Sequence, residues 1–379
     1  MTSVGAQVGP ERCPLCSVFT DGAAECPGCG MKFVDERIGV TVGGAYRIER
    51  LLGQGGIGRV YLATRSSDNT GVAIKFLLDK WIDNHEQITR FSREAEALKK
   101  LKHAAIVELY DYGEHAGTPY MVMELVSGGT LTDRMLKDDL LPPSGVVKIL
   151  AQVVDALEVA HKAHIVHRDV KPENVMLLDS DAAASRVKVL DFGIALMVKG
   201  NEHPRLTAAG EVRGTPLYMS PEQCMGRDIG PGSDIYSVGV MLYELLTGEA
   251  PFAGGSAVDL MDGHVNRPPP EMAEHGRRVP VPPTLEKIAM WSLNKRPEHR
   301  PTARQLREAF ERVRPELIEW EKTSHGVDGE APLSTKAERV EQATVAARLP
   351  ATTAKPTIPE KPRRGFLGRL FGRLFGKAE

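Results

Sequence analysis

The most informative part of this chain is the stretch His167-Arg168-Asp169-Val170-Lys171-Pro172-Glu173-Asn174. It places an aspartate, a lysine and an asparagine close together, and a second motif, Asp191-Phe192-Gly193, follows it. Phosphoryl transfer from a nucleotide needs a carboxylate that orients the attacking hydroxyl and an ammonium that offsets phosphate charge. It also needs an amide and a second carboxylate that hold magnesium. These residue types, in this order, predict phosphoryl-transfer chemistry.

The two motifs resemble those of Hanks-type (eukaryotic-like) serine/threonine protein kinases, in a form that looks bacterial. The resemblance implies an α+β, two-lobed protein-kinase-like fold, with a small β-rich lobe that carries one helix and a large, mainly helical lobe. It implies that Asp169 orients the substrate hydroxyl and that Lys171, typical of serine/threonine kinases, contacts the γ-phosphate of ATP. Asn174 and Asp191 become the ligands of Mg²⁺, which Mn²⁺ could replace.

A glycine-rich segment, Gly53-Gln54-Gly55-Gly56-Ile57-Gly58-Arg59-Val60, lies earlier in the chain. Glycines let backbone N–H groups approach phosphates without a Cβ in the way. A dinucleotide-binding turn would require a helix next, but the alternation in residues 59–63 predicts a strand. The kinase resemblance implies that the nucleotide contacts Gly53, Gln54, Gly55, Gly56, Ile57, Gly58 and Val60.

The segment Val72-Ala73-Ile74-Lys75 resembles the strand that carries the phosphate-binding lysine, with Ala73 and Lys75 facing the nucleotide. The apolar spacing of residues 86–102 predicts a helix. Glu94 and Glu96 lie about 200° apart on such a helix, so only one of them can face Lys75. The spacing to the following segment resembles that of the family and favours Glu94.

Residues 119–126 form an apolar run that resembles the strand leading into the hinge between the lobes. The resemblance implies that Met123 lies behind the adenine. It also implies that backbone groups of Glu124 and Val126 bind the adenine edge.

The segment from Asp191 to Glu222 matches the activation segment of such kinases. A phosphate on Thr207 could pair with Arg168, which makes Thr207 the candidate phosphosite; a solvated loop threonine is the alternative. Glu222 is expected to pair with Arg300 in a buried bridge. The resemblance implies that Asp234 braces the backbone of the catalytic loop.

The resemblance covers a kinase domain at residues 46–314, with a small lobe at 46–124 and a large lobe at 127–314. Residues 321–362 are rich in Ser, Thr, Ala, Pro, Lys and Glu, which predicts a flexible linker and a disordered tail. A pseudokinase scaffold would lack Lys75, Asp169 or Asp191, and all three are present. A small-molecule kinase fits less well, because residues 214–222 resemble a peptide-docking element.

Four of the five cysteines form two Cys-x-x-Cys pairs within residues 10–34. This spacing predicts a zinc-ribbon-like module in which structural Zn²⁺ is bound by Cys13, Cys16, Cys26 and Cys29. Two disulfides or a redox pair are the alternatives. Disulfides are disfavoured because the sequence carries no secretory signal peptide and the kinase resemblance implies cytosolic ATP.

Apolar pairs recur every fourth residue in the segment 363–379, with arginines and a lysine between them. On a helix this pattern forms an apolar stripe opposite a basic side. Such a tail could lie on an anionic membrane surface, dock into a protein groove or bind nothing specific.

The net charge of −2 shows no overall basic footprint, so no nucleic-acid partner is expected. No apolar stretch is long enough to span a membrane. The resemblance implies protein substrates, and autophosphorylation would bring two copies together as a homodimer. We expect a cytoplasmic protein, peripheral at the inner membrane surface if the tail binds lipid.

Overall fold

A computed structural model describes residues 35–55, 58–82, 84–137, 140–178, 186–192, 216–274 and 281–324, together with the single residues Val18 and Gly28. Within these ranges the chain forms a sheet lobe followed by a mainly helical lobe. The predicted two-lobed α+β architecture is thereby confirmed. Among the described helices, none is both long enough and apolar enough to cross a membrane.

The small lobe is an antiparallel sheet with the strand order β1-β2-β3-β4-β6-β5. Its strands are β1 (Thr41–Val42), β2 (Tyr46–Gln54), β3 (Gly58–Arg65), β4 (Gly71–Leu77), β5 (Leu109–His115) and β6 (Thr118–Glu124). The strand predicted after the glycine-rich segment is confirmed as β3, so that segment joins two neighbouring strands. One face of the sheet packs in a cluster that includes Tyr61, Ile74, Phe76 and Tyr120.

The predicted helix of the small lobe is confirmed as α1 (His85–Lys100). Asn84 caps its N-terminus, because the Asn84 side chain accepts a hydrogen bond from Gln87 N at 3.1 Å. Its apolar stripe, which includes Phe91, Ala95 and Leu98, is buried together with Leu77 and Met121 of the sheet. Because this apolar face packs against the sheet, helix residues next to it, such as Glu94, also face the sheet.

The large lobe is built around two long helices, α3 (Pro143–Lys162) and α5 (Pro231–Thr247), whose apolar side chains fill its core. The other helices of the described part are α2 (Leu131–Met135), α4 (Pro221–Cys224), α6 (Ala257–Asn266), α7 (Pro283–Ser292) and α8 (Ala303–Ser324). A small sheet of β7 (Gly129–Thr130), β8 (Val175–Leu177) and β9 (Val187–Val189) lies in the same lobe. The stretch 167–174 lies between α3 and β8, and Asp191 follows β9.

Helix α8 packs along α3 and continues to Ser324. It passes residue 314, the predicted end of the kinase domain, and residue 321, the predicted start of the linker. The helix continues because Leu317 is fully buried and Val313 nearly so, which outweighs the helix-breaking effect of Pro315. The helix therefore extends ten residues past residue 314, and the predicted domain and linker bounds stay predictions.

A side chain from the last turn of α8 caps the N-terminus of α3. Pro142, at the N-cap of α3, offers no side-chain cap. Instead Glu321 accepts hydrogen bonds from Ser144 N at 2.7 Å and from Ser144 Oγ at 2.8 Å. A carboxylate at this position is also favoured by the positive end of the α3 dipole.

We expect Glu321→Ala to lower the free energy of unfolding by about 1 kcal/mol, the usual loss for a helix cap. The measurement is urea-induced unfolding followed by circular dichroism. Glu319→Ala is the matched control, because the Glu319 carboxylate is exposed and pairs with Lys322 on the same helix. Equal unfolding midpoints for Glu321→Ala and the wild type would contradict the capping role.

Candidate active site

Asp234, in the first turn of α5, holds the backbone of the stretch 167–174. Its buried carboxylate accepts hydrogen bonds from His167 N at 2.9 Å and Arg168 N at 2.7 Å, and lies 2.7 Å from His161 Nε2. Arg168 has a φ of 69°, which is unusual for a residue with a side chain. The Asp234 hydrogen bonds hold this strained residue in place, and Asp169 follows directly from it.

His167 connects this stretch to the segment that precedes Asp191. Its Nδ1 accepts a hydrogen bond from Asp169 N at 3.3 Å, so its Nε2 carries the proton and donates to Leu190 O at 2.9 Å. The ring also packs against the fully buried Phe192, with 4.5 Å between centroids. The two motifs of the sequence are therefore brought into one rigid unit.

Asp169 lies between a lysine and an amide. Lys171 Nζ is 2.8 Å from Asp169 Oδ2, and Asn174 Nδ2 donates to the same oxygen at 3.1 Å. Asn174 Nδ2 also donates to Asp169 O at 2.8 Å. The Asp169 side chain is half exposed, so a hydroxyl from solvent or from a substrate can reach its carboxylate.

Lys75 on β4 is placed between two carboxylates that are far away in sequence. Its Nζ is 2.7 Å from Asp191 Oδ1 and 3.6 Å from Glu94 Oε1. Glu94 on α1 is buried, whereas Glu96 is exposed. The structure therefore places Glu94, and not Glu96, beside Lys75.

The two carboxylates of this group stabilise the charge on Lys75. Burial disfavours the charged form of Lys75, but Asp191 and Glu94 outweigh it and raise the pKa of Lys75. Burial raises the pKa of Glu94 to about 7, although Lys75 opposes that shift. Lys75 is thus held as a cation that points at Asp191.

Most of the residues expected to contact a nucleotide lie on or beside neighbouring strands of the same sheet. Val60 is paired with Lys75, and Ala73 with Met123, across neighbouring strands. Gly58 has to be a glycine, because a Cβ there would lie 2.6 Å from Phe76 O. Gly53, Gln54 and Gly55 belong to β2 or follow it, Glu124 ends β6, and Val126 lies in the connection to the large lobe.

Other predicted site residues lie outside the described residues. They are Gly56, Ile57, Thr207 and the four cysteines Cys13, Cys16, Cys26 and Cys29. Their predicted roles stay predictions.

Glu222 and Arg300 form a buried, two-pronged ion pair. Arg300 Nη1 is 2.7 Å from Glu222 Oε1, and Arg300 Nη2 is 2.9 Å from Glu222 Oε2. Burial alone would raise the pKa of Glu222, but hydrogen bonds from Arg300 and Ser233 outweigh it and lower that pKa. The remaining Arg300 donors bind the carbonyl oxygens of Gly232, Asn294 and Lys295.

Comparison with known proteins agrees with this geometry. Residues 46–310 match the protein kinase domain family. The chain belongs to the protein kinase family. It is 38% identical over 271 residues to the serine/threonine-protein kinase pkn3 of Myxococcus xanthus, which covers 71% of this chain and 50% of that protein. It is 37% identical over 269 residues to PknA of Mycobacterium tuberculosis, which covers 70% of this chain and 60% of that protein.

A solved structure shows the same fold. The crystal structure of the Mycobacterium tuberculosis PknI kinase domain is 27% identical and gives a TM-score of 0.56, covering 72% of this chain and 98% of that one. The chain spans only about half the length of the curated kinases that it matches, 50% of pkn3 and 60% of PknA. The likeness therefore concerns the kinase domain.

The kinase family implies ATP and Mg²⁺, and the donor set fits them. Mg²⁺ is usually held by one or two carboxylates together with substrate phosphates, and Asp191 and Asn174 supply protein oxygens beside Asp169. The Asn174 side chain donates to Asp169 through Nδ2, so its amide oxygen is the atom that would bind a metal. Within the described ranges, no group of three or more His, Cys, Asp or Glu side chains could hold a metal by itself.

Two contacts of the kinase site were missed by the sequence analysis. Gln223 Nε2 donates to Arg168 O at 2.7 Å, which joins the end of the activation segment to the catalytic loop. Lys188 Nζ on β9 lies 2.7 Å from Glu124 Oε2, which joins the large lobe to the hinge. No periodicity marks either residue, because each partner lies far away in sequence.

Proposed function

We propose that this chain is an active serine/threonine protein kinase. It transfers the γ-phosphoryl group of Mg-ATP to serine and threonine hydroxyls of proteins, including hydroxyls on its own activation segment. The observation that carries the proposal is the assembled Glu94–Lys75–Asp191 group at 3.6 and 2.7 Å. This group joins the small lobe to the large lobe with every charged position filled.

The residues of the site divide the work of the reaction. Asp169 accepts the hydrogen bond of the attacking hydroxyl and aims its oxygen at the phosphorus. Lys171, 2.8 Å from Asp169, offsets charge on the transferring group, and Lys75 positions the inner phosphates. Asn174 and Asp191 would hold Mg²⁺, which when bound neutralises the charge that develops on the phosphate oxygens.

Specificity for serine and threonine is supported by Lys171, whose ammonium contacts the half-exposed Asp169 carboxylate. The matched kinases of Myxococcus xanthus and Mycobacterium tuberculosis carry the name serine/threonine-protein kinase. A signalling role is consistent with both names.

The test is transfer of labelled phosphate from Mg-ATP to generic protein substrates, with mass-spectrometric mapping of the modified residues. We expect phosphoserine and phosphothreonine, and complete loss of transfer in excess EDTA with recovery on adding Mg²⁺. Modification of tyrosine alone, or no transfer to any substrate or to the chain itself, would overturn the proposal.

The same mapping tests Thr207 as the activating phosphosite. Burial lowers the pKa of the Arg168 guanidinium, and the charge of Asp234 opposes that shift. A phosphate on the activation segment would supply Arg168 with further compensating charge. Phosphate found only at other positions would count against Thr207.

We further propose that Cys13, Cys16, Cys26 and Cys29 bind structural Zn²⁺ in a zinc-ribbon-like module. The support is their paired spacing, which suits tetrahedral Cys₄ coordination. Stoichiometric zinc in purified protein, measured by elemental analysis, is the expected result. Metal content near zero would remove the proposal.

For the tail we propose that residues 363–379 bind an anionic membrane surface, which would place the kinase at the inner face of the membrane. The support is the basic, amphipathic pattern of the segment. Sedimentation with anionic and with neutral vesicles, with and without residues 363–379, is the test. Equal sedimentation of the full and shortened chains would favour a protein groove or no specific partner.

Autophosphorylation between two copies would require a homodimer, which light scattering measures.

A further inference from the structure

Asp35 is a nearly buried carboxylate that lies ahead of the kinase domain match. Its side chain is only 6% exposed. The Tyr61 hydroxyl on β3 donates to Asp35 Oδ2, and Arg37 N donates to Asp35 Oδ1 at 3.0 Å. Burial and the neighbouring Asp35 charge raise the pKa of Tyr61 to about 12, so this hydroxyl stays a donor. A buried carboxylate persists only where such partners compensate its charge.

Asp35 also contacts Arg59. This residue lies in the hairpin formed by β2 and β3, which meet at the glycine-rich segment and which we call the nucleotide-binding hairpin. Arg59 Nη1, at the start of β3, lies 3.5 Å from Asp35 Oδ2. The same guanidinium donates from Nε to Gln54 Oε1 at 2.7 Å. Gln54 and Arg59 are directly paired across β2 and β3, so a chain of polar contacts leads from Asp35 to the root of the hairpin.

The root of this hairpin is narrow. Gly55 N donates to Gly58 O at 2.8 Å, directly beyond the Gln54–Arg59 pair. Arg59 and Gln54 are paired across the two strands, and Arg59 shares a face of β3 with Tyr61, so all three side chains lie on the face that Asp35 contacts. Holding Arg59 from the Asp35 side therefore restrains both strands that lead into the phosphate-binding turn.

The segment that carries Asp35 is itself fixed to the small lobe. Gly39 N donates to Ile48 O at 2.8 Å, and Ile48 N donates to Val40 O at 2.9 Å. Arg37 Nη2 pairs with the exposed Asp79 at 2.6 Å. Asp35 is therefore presented by a backbone that is already held to the sheet, with little entropy left to lose.

We propose that Asp35 is a positioning residue for the nucleotide-binding hairpin. Acting through Arg59, it holds Gln54 and the hairpin root in the shape that receives the phosphates of ATP. The proposal rests on the proposed function, since it requires ATP to bind at this hairpin.

The test compares Asp35→Asn with Asp79→Asn in the full chain. Both changes replace a carboxylate by an amide. Asp79 pairs with Arg37 of the segment that carries Asp35, whereas Asp35 itself contacts Arg59 of the hairpin. Isothermal titration with Mg-ATP should show affinity weakened about three- to tenfold in Asp35→Asn, the usual scale for one lost charge-assisted contact, and unchanged in Asp79→Asn. Equal affinity of Asp35→Asn and the wild type would overturn the proposal, as would equal weakening by Asp79→Asn.

Further measurements separate positioning from folding. In the background Arg59→Met, the change Asp35→Asn should weaken binding no further, because Asp35 acts through Arg59. Hydrogen exchange on the nucleotide-free protein should show the Gly55 amide exchanging faster in Asp35→Asn than in Asp79→Asn. Reduced binding stoichiometry with unchanged Kd would indicate a merely structural role and overturn the proposal. A wild type that binds no Mg-ATP would overturn the proposed function itself.

Discussion

Asp169→Asn is expected to lower kcat for phosphoryl transfer by about 10²–10⁴-fold, the usual contribution of a positioned acid–base group. An amide cannot accept the proton of the hydroxyl, and it leaves Lys171 without its 2.8 Å carboxylate partner. Asn174 can still donate to Asp169 O, which is a backbone atom, so the loop should keep its shape. The measurement is steady-state transfer of labelled phosphate to a generic serine/threonine substrate.

Titration with Mg-ATP completes this experiment. The affinity of Asp169→Asn should stay close to that of the wild type, since Lys75, Glu94 and Asp191 are unchanged. Asp228→Asn is the matched control, because Asp228 is an exposed large-lobe carboxylate that is not one of the residues assigned to the site. Wild-type kcat in Asp169→Asn would contradict the assignment, and loss of ATP affinity would show that the change disturbs the site more widely.

Arg300→Met is expected to destabilise the kinase domain by about 3–5 kcal/mol, because removing one partner leaves Glu222 as an uncompensated buried charge. The Arg300 side chain is 0% and that of Glu222 6% exposed. The loss also frees three carbonyl oxygens that Arg300 now satisfies, those of Gly232, Asn294 and Lys295. Urea unfolding followed by tryptophan fluorescence measures the change.

Arg304→Met is the matched control for this second experiment. The exposed Arg304 pairs with Glu308 one turn away on α8, at 2.9 Å, and its loss should not measurably shift the unfolding midpoint. An Arg300→Met variant with a wild-type midpoint would show that the buried pair contributes nothing net.

The pH dependence of stability gives the same pair a second signature. The pKa of Glu222 is lowered from its ordinary 4.5 in the folded protein. Its stabilisation is therefore present above pH 4.5 and is lost as pH falls through the folded value. Arg300→Met should lose less stability than the wild type over that acidic range.

Much of the fold and the site followed from short stretches of sequence. The catalytic stretch 167–174 and the strand after the glycine-rich segment were predicted from neighbouring residues, since backbone geometry and side-chain alternation depend on local order. The helix that carries Glu94 was predicted from its apolar spacing, and the choice of Glu94 over Glu96 from the resemblance. The predicted end of the kinase domain at residue 314 stays a prediction; the structure adds that α8 runs on to Ser324 with Leu317 buried.

Other features depend on partners that meet only when the chain is folded. Lys188 pairs with Glu124, Glu321 caps α3, and Asp35 reaches Arg59, each across a long separation in sequence. Long polar side chains can point in many directions, and nothing in their local order selects a partner. Periodic apolar residues specify which face of a strand or helix is buried, whereas the pairing of charges is selected by the low-dielectric surroundings that packing creates.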